Sequence, residues 1–157
     1  MRNTFLELET KPMRSCDFCF LGINYCSAEY LSGVEKAANK VRALSYRYAN
    51  ADGTAIPLKV YSSEEGYILK DTIACDLGTV CASSLKELGK KLSKIHLQAG
   101  CIPVFVGGDH SVTYELVKRM AKNYGNIVVV QFDAHSDFID EFEDYPHGSV
   151  MNETSKL

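Results

Sequence analysis

Short apolar runs alternate with amphipathic helical patterns along most of this chain, and that alternation limits the fold more than any other feature. Four runs are strand candidates, and the first is nearly continuous in apolar residues, as in a strand that is buried on both faces. They lie at residues 18–23, 72–77, 101–106 and 127–132. Strands that alternate with helices indicate βαβ units. The sequence therefore predicts an α/β fold with a mainly parallel sheet.

The helix at residues 84–99 carries the clearest local signals. Ser84 and Glu87 have the spacing of a capping box, and leucines follow at steps of three and four up to Gly100. A second helix is expected over 34–48, and a third over 111–123. The second should bury one apolar stripe, formed by Val34, Ala37, Ala38, Val41 and Leu44. Residues 49–57 have the composition of a loop, and 60–67 are ambiguous.

Composition excludes several classes of protein. The net charge is −3 and Lys and Arg are scattered, which argues against a nucleic-acid partner. No apolar run reaches the roughly 20 residues of a membrane span. The amino-terminal residues are too polar and acidic for a signal peptide. We therefore expect one cytoplasmic domain over residues 1–157.

Six cysteines are present, and Cys16 and Cys19 form a C-x-x-C pair. Such a pair can be half of a zinc site, but no second pair with ligand spacing follows it. Because several of the cysteines lie in or beside apolar runs, we expect free and mostly buried thiols. His96, on the helix at 84–99, is expected to be a structural or surface residue.

Polar residues cluster just after the last two predicted strands. Gly107-Gly108-Asp109-His110-Ser111 follows one strand, and Asp133-Ala134-His135-Ser136-Asp137 follows the other. Ligands of open α/β sheets bind outside the carboxyl ends of strands. In an extended segment, residues 133, 135 and 137 would point to one side. Two carboxylates and an imidazole suit a divalent ion such as manganese and would repel or mis-solvate one another without one.

Plain structural explanations compete with metal binding. D-x-H-x-D can be a solvated turn in which Asp133 caps a helix. The glycines can make a tight strand-to-helix turn, with Asp109 or Ser111 as the cap and His110 exposed. The two motifs at the ends of consecutive strands favour a metal site more strongly than either motif alone.

GGDHS followed by DAHSD resembles the signature of the ureohydrolases, the family of arginase, agmatinase and formimidoylglutamase. The resemblance implies an arginase-like three-layer α/β/α fold and two Mn²⁺ ions that share a bridging hydroxide. That hydroxide would attack the guanidinium carbon of the substrate and release urea. By motif, the implied metal ligands are His110, Asp133, His135 and Asp137.

The residues after DAHSD are similar to those of agmatinases. Residues 137–144 are rich in Asp and Glu, which would attract a cationic guanidino substrate or would simply form a solvated acidic loop. His147, followed by Gly148, resembles the family's active-site histidine, a proton shuttle and substrate contact. The resemblance also implies a homo-oligomer.

The resemblance is tight over residues 104–148 and covers about the first half of a family member. The family's later S-x-D-x-D-x-x-D-P segment, which completes the metal site, does not occur in these residues. The glycine- and proline-rich segment after the first strand is replaced by 24–33, and Thr79 stands in place of an acid. Later family strands lie between the two strands at 101–106 and 127–132, so a gap is expected there. Residues 151–157 are expected to be a frayed tail.

The expected function is therefore manganese-dependent hydrolysis of an agmatine-like compound, with doubtful activity for these 157 residues alone. Arginase, guanidinobutyrase and formimidoylglutamase are alternatives within the class. A non-catalytic metal-binding or regulatory paralogue is a second possibility. A plain α/β domain without metal is a third.

Overall fold

The computed structural model describes residues 5, 16–27, 32–45, 61–62, 66–67, 73–97, 100–141 and 146–157. The elements are β1 (Phe18–Asn24), a 3-10 turn (Val34–Lys36), α1 (Ala37–Ser45), β2 (Tyr61–Ser62), β3 (Gly66–Tyr67), β4 (Ala74–Cys81), α2 (Leu85–Leu92), β5 (Ile102–Val106), α3 (Val112–Tyr124) and α4 (Val150–Thr154). The chain divides into two compact units. The first contains Met1–Gly22, Ala37–Thr79 and Leu97–Val106, and the second contains Ile23–Lys36, Val80–His96 and Gly107–Leu157.

A three-stranded sheet in the order β4-β1-β5 confirms the α/β class. β1 and β5 are parallel, with Phe18 opposite Ile102. Hydrogen bonds join β1 to β4 near both ends, since Asp17 N–H donates to the Ile73 carbonyl at 2.8 Å and Ala82 N–H donates to the Asn24 carbonyl. These bonds show that β1 and β4 also run parallel. The predicted strands at 18–23, 72–77 and 101–106 are confirmed, with small shifts of their ends.

Among the described strands, β5 lies at the edge of this sheet, and this position explains its proline. Proline cannot donate a ladder hydrogen bond, so it is tolerated at an edge and not in a central strand. Pro103 lies opposite Cys19 of β1. β1 occupies the centre of the sheet, and its Cys19, Leu21 and Ile23 are essentially inaccessible to solvent.

The helix predicted over 34–48 begins as a 3-10 turn and continues as α1. Its predicted buried stripe is confirmed at Ala38, which is fully buried, but is wrong at Val41 and Leu44. Val41 is 37% exposed and Leu44 is 40% exposed, whereas Arg42 is only 5% exposed. The Arg42 guanidinium makes two bonds to the buried Asp76 carboxylate, from Nε to Oδ2 at 2.8 Å and from Nη2 to Oδ1 at 3.0 Å. The inward face of α1 therefore contains Ala38 and the Arg42 ion pair, and not the later apolar residues of the stripe. Residues 46–48 lie outside the described residues.

α2 confirms the predicted cap but is shorter than predicted. Ser84 Oγ accepts a hydrogen bond from Glu87 N–H at 3.2 Å, and the Glu87 carboxylate accepts one from Ser83 N–H. The helix ends at Leu92, seven residues before the predicted end, although a further turn follows. α3 matches its prediction and packs against α2.

The strand predicted at 127–132 is wrong. These residues pair with no strand in the described ranges, and Val128 is 90% exposed and Phe132 98% exposed. A strand requires a neighbour for its N–H and C=O groups. Because the described residues provide no neighbouring strand, the segment does not form a strand, although its sequence is apolar.

The expectation of a frayed tail at 151–157 is also wrong. Val150–Thr154 forms α4, in which Val150, Met151 and Thr154 are buried. The ambiguous residues 60–67 include the short antiparallel pair β2–β3. The loop predicted at 49–57 lies outside the described residues. No helix within the described ranges is long and apolar enough to cross a membrane.

Candidate metal centre

The turn after β5 needs its two glycines because the backbone passes very close to its neighbours. A Cβ atom at position 107 would lie 2.6 Å from Cγ2 of Val112, and one at 108 would overlap the carbonyl oxygen of Tyr25. Backbone atoms cannot move away as the end of a flexible side chain can. The Gly107-Gly108 pair therefore sets the direction from which residues 109 and 110 leave the turn.

Asp109 fixes this turn and is not one of the grouped metal donors. Its Oδ2 accepts hydrogen bonds at 2.6 Å from both the backbone N–H and the hydroxyl of Ser27. Its Oδ1 accepts bonds from the N–H and hydroxyl of Ser111 at the start of α3. Burial acts to raise the pKa of Asp109, but these bonds from Ser111 and Ser27 outweigh it and lower that pKa. The carboxylate therefore stays ionised while it ties two loops together.

His110, Asp133 and Asp137 bring one ligand atom each into a group whose members all lie within 4.8 Å of one another. His110 Nδ1 lies 2.5 Å from Asp137 Oδ2 and 3.9 Å from Asp133 Oδ2. The His110 side chain is 26% exposed, that of Asp137 is 14% exposed and that of Asp133 is 34% exposed. The group is therefore partly shielded but still accessible. Imidazole nitrogen and carboxylate oxygen are suitable donors for a divalent ion such as Mn²⁺. The donor set therefore fits the metal that the sequence predicts.

Asp133 is held in its ionised form by local contacts. The His135 backbone N–H donates to Asp133 Oδ1 at 3.0 Å. This bond and the nearby His110 imidazole lower the pKa of the Asp133 carboxyl. An ionised carboxylate can ligate a cation at neutral pH without first losing a proton.

Asp137 adopts an unusual backbone conformation, with φ of 52°. A non-glycine residue in this left-handed region is uncommon and must be held by its surroundings. The carbonyl of Asp137 accepts hydrogen bonds from Met151 N–H at 3.0 Å and Asn152 N–H at 3.3 Å. α4 thereby holds the backbone that presents the Asp137 carboxylate.

His135 does not join the group. Its side chain is 84% exposed. The prediction that residues 133, 135 and 137 share one side assumed an extended segment. The chain instead bends at 134–135 and has a positive φ at Asp137, so the simple alternation of sides is lost.

His147 lies in the turn before α4, is partly buried, and is outside the group of three donors. Asp140 and Glu141 of the acidic stretch are exposed, and residues 142–144 lie outside the described residues. His96 is exposed, in agreement with its prediction as a structural or surface residue.

Two positioning features were missed by the sequence reasoning. Ser27 lies in the segment that departs from the family pattern, and no spacing links it to Asp109, which is 82 residues away. The bonds from α4 to Asp137 were missed because residues 151–157 appeared too polar to pack. A short apolar pair at 150–151 was the available signal for that helix.

The three-stranded parallel sheet and its helices define an α/β protein. β5 leads into the group of His and Asp donors, which is a candidate metal centre. The arginase family model matches residues 16–156, and the chain belongs to the arginase family. The human mitochondrial guanidino acid hydrolase is 36% identical over 75 residues, which cover 44% of this chain and 21% of that protein. The agmatinase of Bacillus anthracis is 30% identical over 115 residues, which cover 66% of this chain and 39% of that protein.

Solved structures of this fold are similar over nearly the whole chain. A hypothetical agmatinase from Burkholderia thailandensis has a TM-score of 0.75 at 23% identity, covering 98% of this chain and 49% of the other. Formimidoylglutamase from Bacillus subtilis has a TM-score of 0.72 at 22% identity, covering 99% of this chain and 49% of the other. The chain thus spans about half the length of these structures and less than half of the curated relatives above.

Proposed function

We propose that the chain takes part in manganese-dependent hydrolysis of a guanidino compound of the agmatine type, giving an amine and urea. The observation that carries this proposal is the convergence of His110, Asp133 and Asp137, whose ligand atoms lie within 4.8 Å of one another. Membership of the arginase family supports an amidinohydrolase-type reaction. The similarity to agmatinases, arginases and a formimidoylglutamase leaves the particular substrate to experiment.

His110, Asp133 and Asp137 would hold the metal, and the two carboxylates would balance part of its charge. When bound, divalent ions supply Lewis acidity, which activates water and polarises the guanidinium group. The partial burial of Asp137 reduces competition from bulk water. The exposed Asp140 and Glu141 would attract a cationic substrate from solution. His147 would accept and return a proton at an imidazole nitrogen as the amine leaves.

The direct test is urea release from agmatine by protein that has been stripped with EDTA and reloaded with Mn²⁺. Arginine and formimidoylglutamate are assayed in parallel to define the substrate. Asp137→Asn keeps the shape of the side chain but removes its charge, and it should abolish Mn²⁺-dependent turnover. Asp140→Asn changes an exposed carboxylate outside the donor group and should retain turnover at saturating agmatine, with any loss confined to KM. Equal turnover by the wild type and Asp137→Asn would contradict the assignment.

The position of His135 favours one alternative, a metal-binding chain that does not hydrolyse a substrate. Three grouped donors can hold one ion, whereas the predicted set had four. Calorimetric titration with Mn²⁺ separates the two functions. Saturable binding without urea release from agmatine or arginine, and without formamide release from formimidoylglutamate, would favour the non-catalytic role.

A further inference from the structure

We propose that the groove between α2 and α3 is a docking surface for an extended acidic peptide segment of a partner protein. The groove lies within the second unit and contains none of the metal donors, so the proposal does not depend on the proposed hydrolysis. Its lining residues are Lys86, Gly89, Lys90 and Ser93 from α2 and its carboxyl-terminal cap, and Glu115, Lys118, Arg119 and Lys122 from α3.

The two helices lie side by side and run in the same direction. Gly89 adjoins Glu115, and the Ile95 carbonyl, in the turn after α2, accepts a hydrogen bond from Arg119 Nη2 at 2.8 Å. Each helix contributes its lining residues at positions i, i+3, i+4 and i+7, which lie on one face of a helix. The groove is therefore formed by two matching helical faces.

Cations dominate this groove, although the whole chain has a net charge of −3. Five of its eight lining residues are Lys or Arg, and only one is acidic. Two lysines four residues apart, all of them exposed, line each side: Lys86 and Lys90 on α2, and Lys118 and Lys122 on α3. Within the described part of the chain, Lys118 is the one lysine of the four that approaches a carboxylate, so the other three charges are available to a partner.

The spacing of these lysines fits an extended peptide. Side chains four residues apart on a helix are about 6 Å apart. Every second side chain of an extended peptide points to the same face, and such side chains are about 7 Å apart. Carboxylates at alternate positions of the peptide can therefore meet successive lysines along one side of the groove.

Glu115 favours a peptide over a phosphate chain as the occupant. Its side chain is 13% exposed, and Lys118 Nζ comes only within 3.9 Å of its Oε1, which is too long for a hydrogen bond. Burial raises the pKa of this carboxyl, and Lys118 only partly opposes the shift, so the charged form is poorly solvated. A peptide backbone offers N–H groups that this carboxylate can accept. Phosphate oxygens offer no donor and would be repelled by it.

The test uses a fluorescein-labelled peptide of alternating Glu and Ser residues, with binding to the full chain followed by fluorescence anisotropy at low ionic strength. Lys90→Met/Lys122→Met removes one cation from each side of the groove and should weaken binding by about tenfold. Lys91→Met/Lys94→Met removes the same charge from exposed positions outside the groove and should leave the Kd unchanged. This matched pair separates docking in the groove from attraction to net charge. Circular dichroism confirms that each variant is folded.

Two substitutions at Glu115 test the choice of a peptide. Glu115→Gln keeps an acceptor oxygen and should retain binding of the peptide. Glu115→Leu removes the acceptor and should weaken binding, although it also removes a negative charge. Inorganic tripolyphosphate, used as a competitor, should displace the peptide poorly.

Several results would overturn the proposal. These are no binding by the wild type, equal losses from the two lysine variants, tighter binding by Glu115→Leu, and efficient displacement by tripolyphosphate. Salt-sensitive self-association of the wild type, measured by sedimentation and abolished by Lys90→Met/Lys122→Met, would instead make a second copy of the chain the occupant.

Discussion

His110 Nδ1 lies 2.5 Å from Asp137 Oδ2, although the two residues are 27 positions apart in the chain. Their contact joins the turn after β5 to the loop before α4. It also brings an imidazole and a carboxylate together before any ion is bound, which reduces the reorganisation that binding requires.

Manganese should stabilise the folded protein through this group. A ligand at one hundred times its Kd adds about 2.7 kcal/mol to the free energy of unfolding. Thermal unfolding with Mn²⁺ and with EDTA measures the difference. Asp137→Asn should lose most of the Mn²⁺-dependent increase in Tm, and Asp140→Asn should keep it. An equal increase in both variants would place the ion elsewhere.

Gly108→Ala should disrupt the turn that presents His110. Its new methyl group would overlap the Tyr25 carbonyl, so the backbone must shift. Mn²⁺ affinity, measured by calorimetry, should fall at least tenfold, which corresponds to about 1.4 kcal/mol.

Gly89→Ala is the matched control for that substitution. Its methyl group would meet the flexible end of the Glu115 side chain, which can move away. Alanine also favours the helix by about 1 kcal/mol over glycine. Unchanged Mn²⁺ affinity in Gly108→Ala would show that the glycine does not position the site.

Arg42→Met should strongly destabilise the first unit. The substitution leaves Asp76 buried without its cationic partner, and breaking a buried ion pair in this way costs about 3–5 kcal/mol. Urea denaturation measures the loss, and the double variant Arg42→Met/Asp76→Leu should recover part of it. Lys91→Met breaks the exposed Glu87–Lys91 pair and should have a much smaller effect. Similar losses from the two single substitutions would show that burial does not set the strength of the Arg42 pair.

Residues 127–132 should exchange their amide hydrogens rapidly, because they have no strand partner among the described residues. Their outward side chains should also promote self-association. Val128→Lys/Val130→Lys should reduce light scattering without changing the circular dichroism spectrum. Lysine at 127 and 129 should instead destabilise the second unit, since these residues line a cavity with Phe138 and Met151. Slow exchange across 127–132 would contradict the unpaired state.

Glu87 should titrate far below an ordinary glutamate. A hydrogen bond from Lys91, with further bonds from Ser83, lowers the pKa of Glu87 from 4.5 to about 2. Since the folded pKa is the lower one, this carboxylate contributes stability above about pH 4.5, and the contribution is lost as pH falls towards 2. Carboxyl NMR should show the low pKa, and Lys91→Met should raise it. Lys86→Met, which changes a lysine of the same helix, should not.

The sequence was sufficient to predict the parallel sheet and the convergence of three of the four proposed ligands. The sheet follows from local apolar runs. The convergence was predicted from the rule that strand ends meet at one edge, but it occurs although residues 127–132 form no strand in the described ranges. The direction of His135 was not predictable, because a positive φ at Asp137 has no signal when the residue is not glycine. The buried face of α1 depended on Asp76, 34 residues beyond Arg42, and helical periodicity contains no information about that partner.

The strand assigned to 127–132 shows a related limit. Its residues have high strand propensity, but a strand also requires a second strand to pair with. Propensity contains no information on whether such a strand is present. The cysteines show the reverse case. Their positions in or beside apolar runs predicted mostly buried thiols, and this is confirmed for Cys16, Cys19, Cys75 and Cys101.

Pro103 has a consequence for how the molecule avoids unwanted partners. Ile102 directs its N–H towards β1, so the nitrogen of the next residue faces the open side of β5. Any residue other than proline at this position would present a backbone N–H that could pair with an extended peptide. The pyrrolidine ring removes that donor and puts a methylene group in its place. This side of β5 is unpaired among the residues that the structure describes, and without that donor it is a poor template for amyloid-like growth.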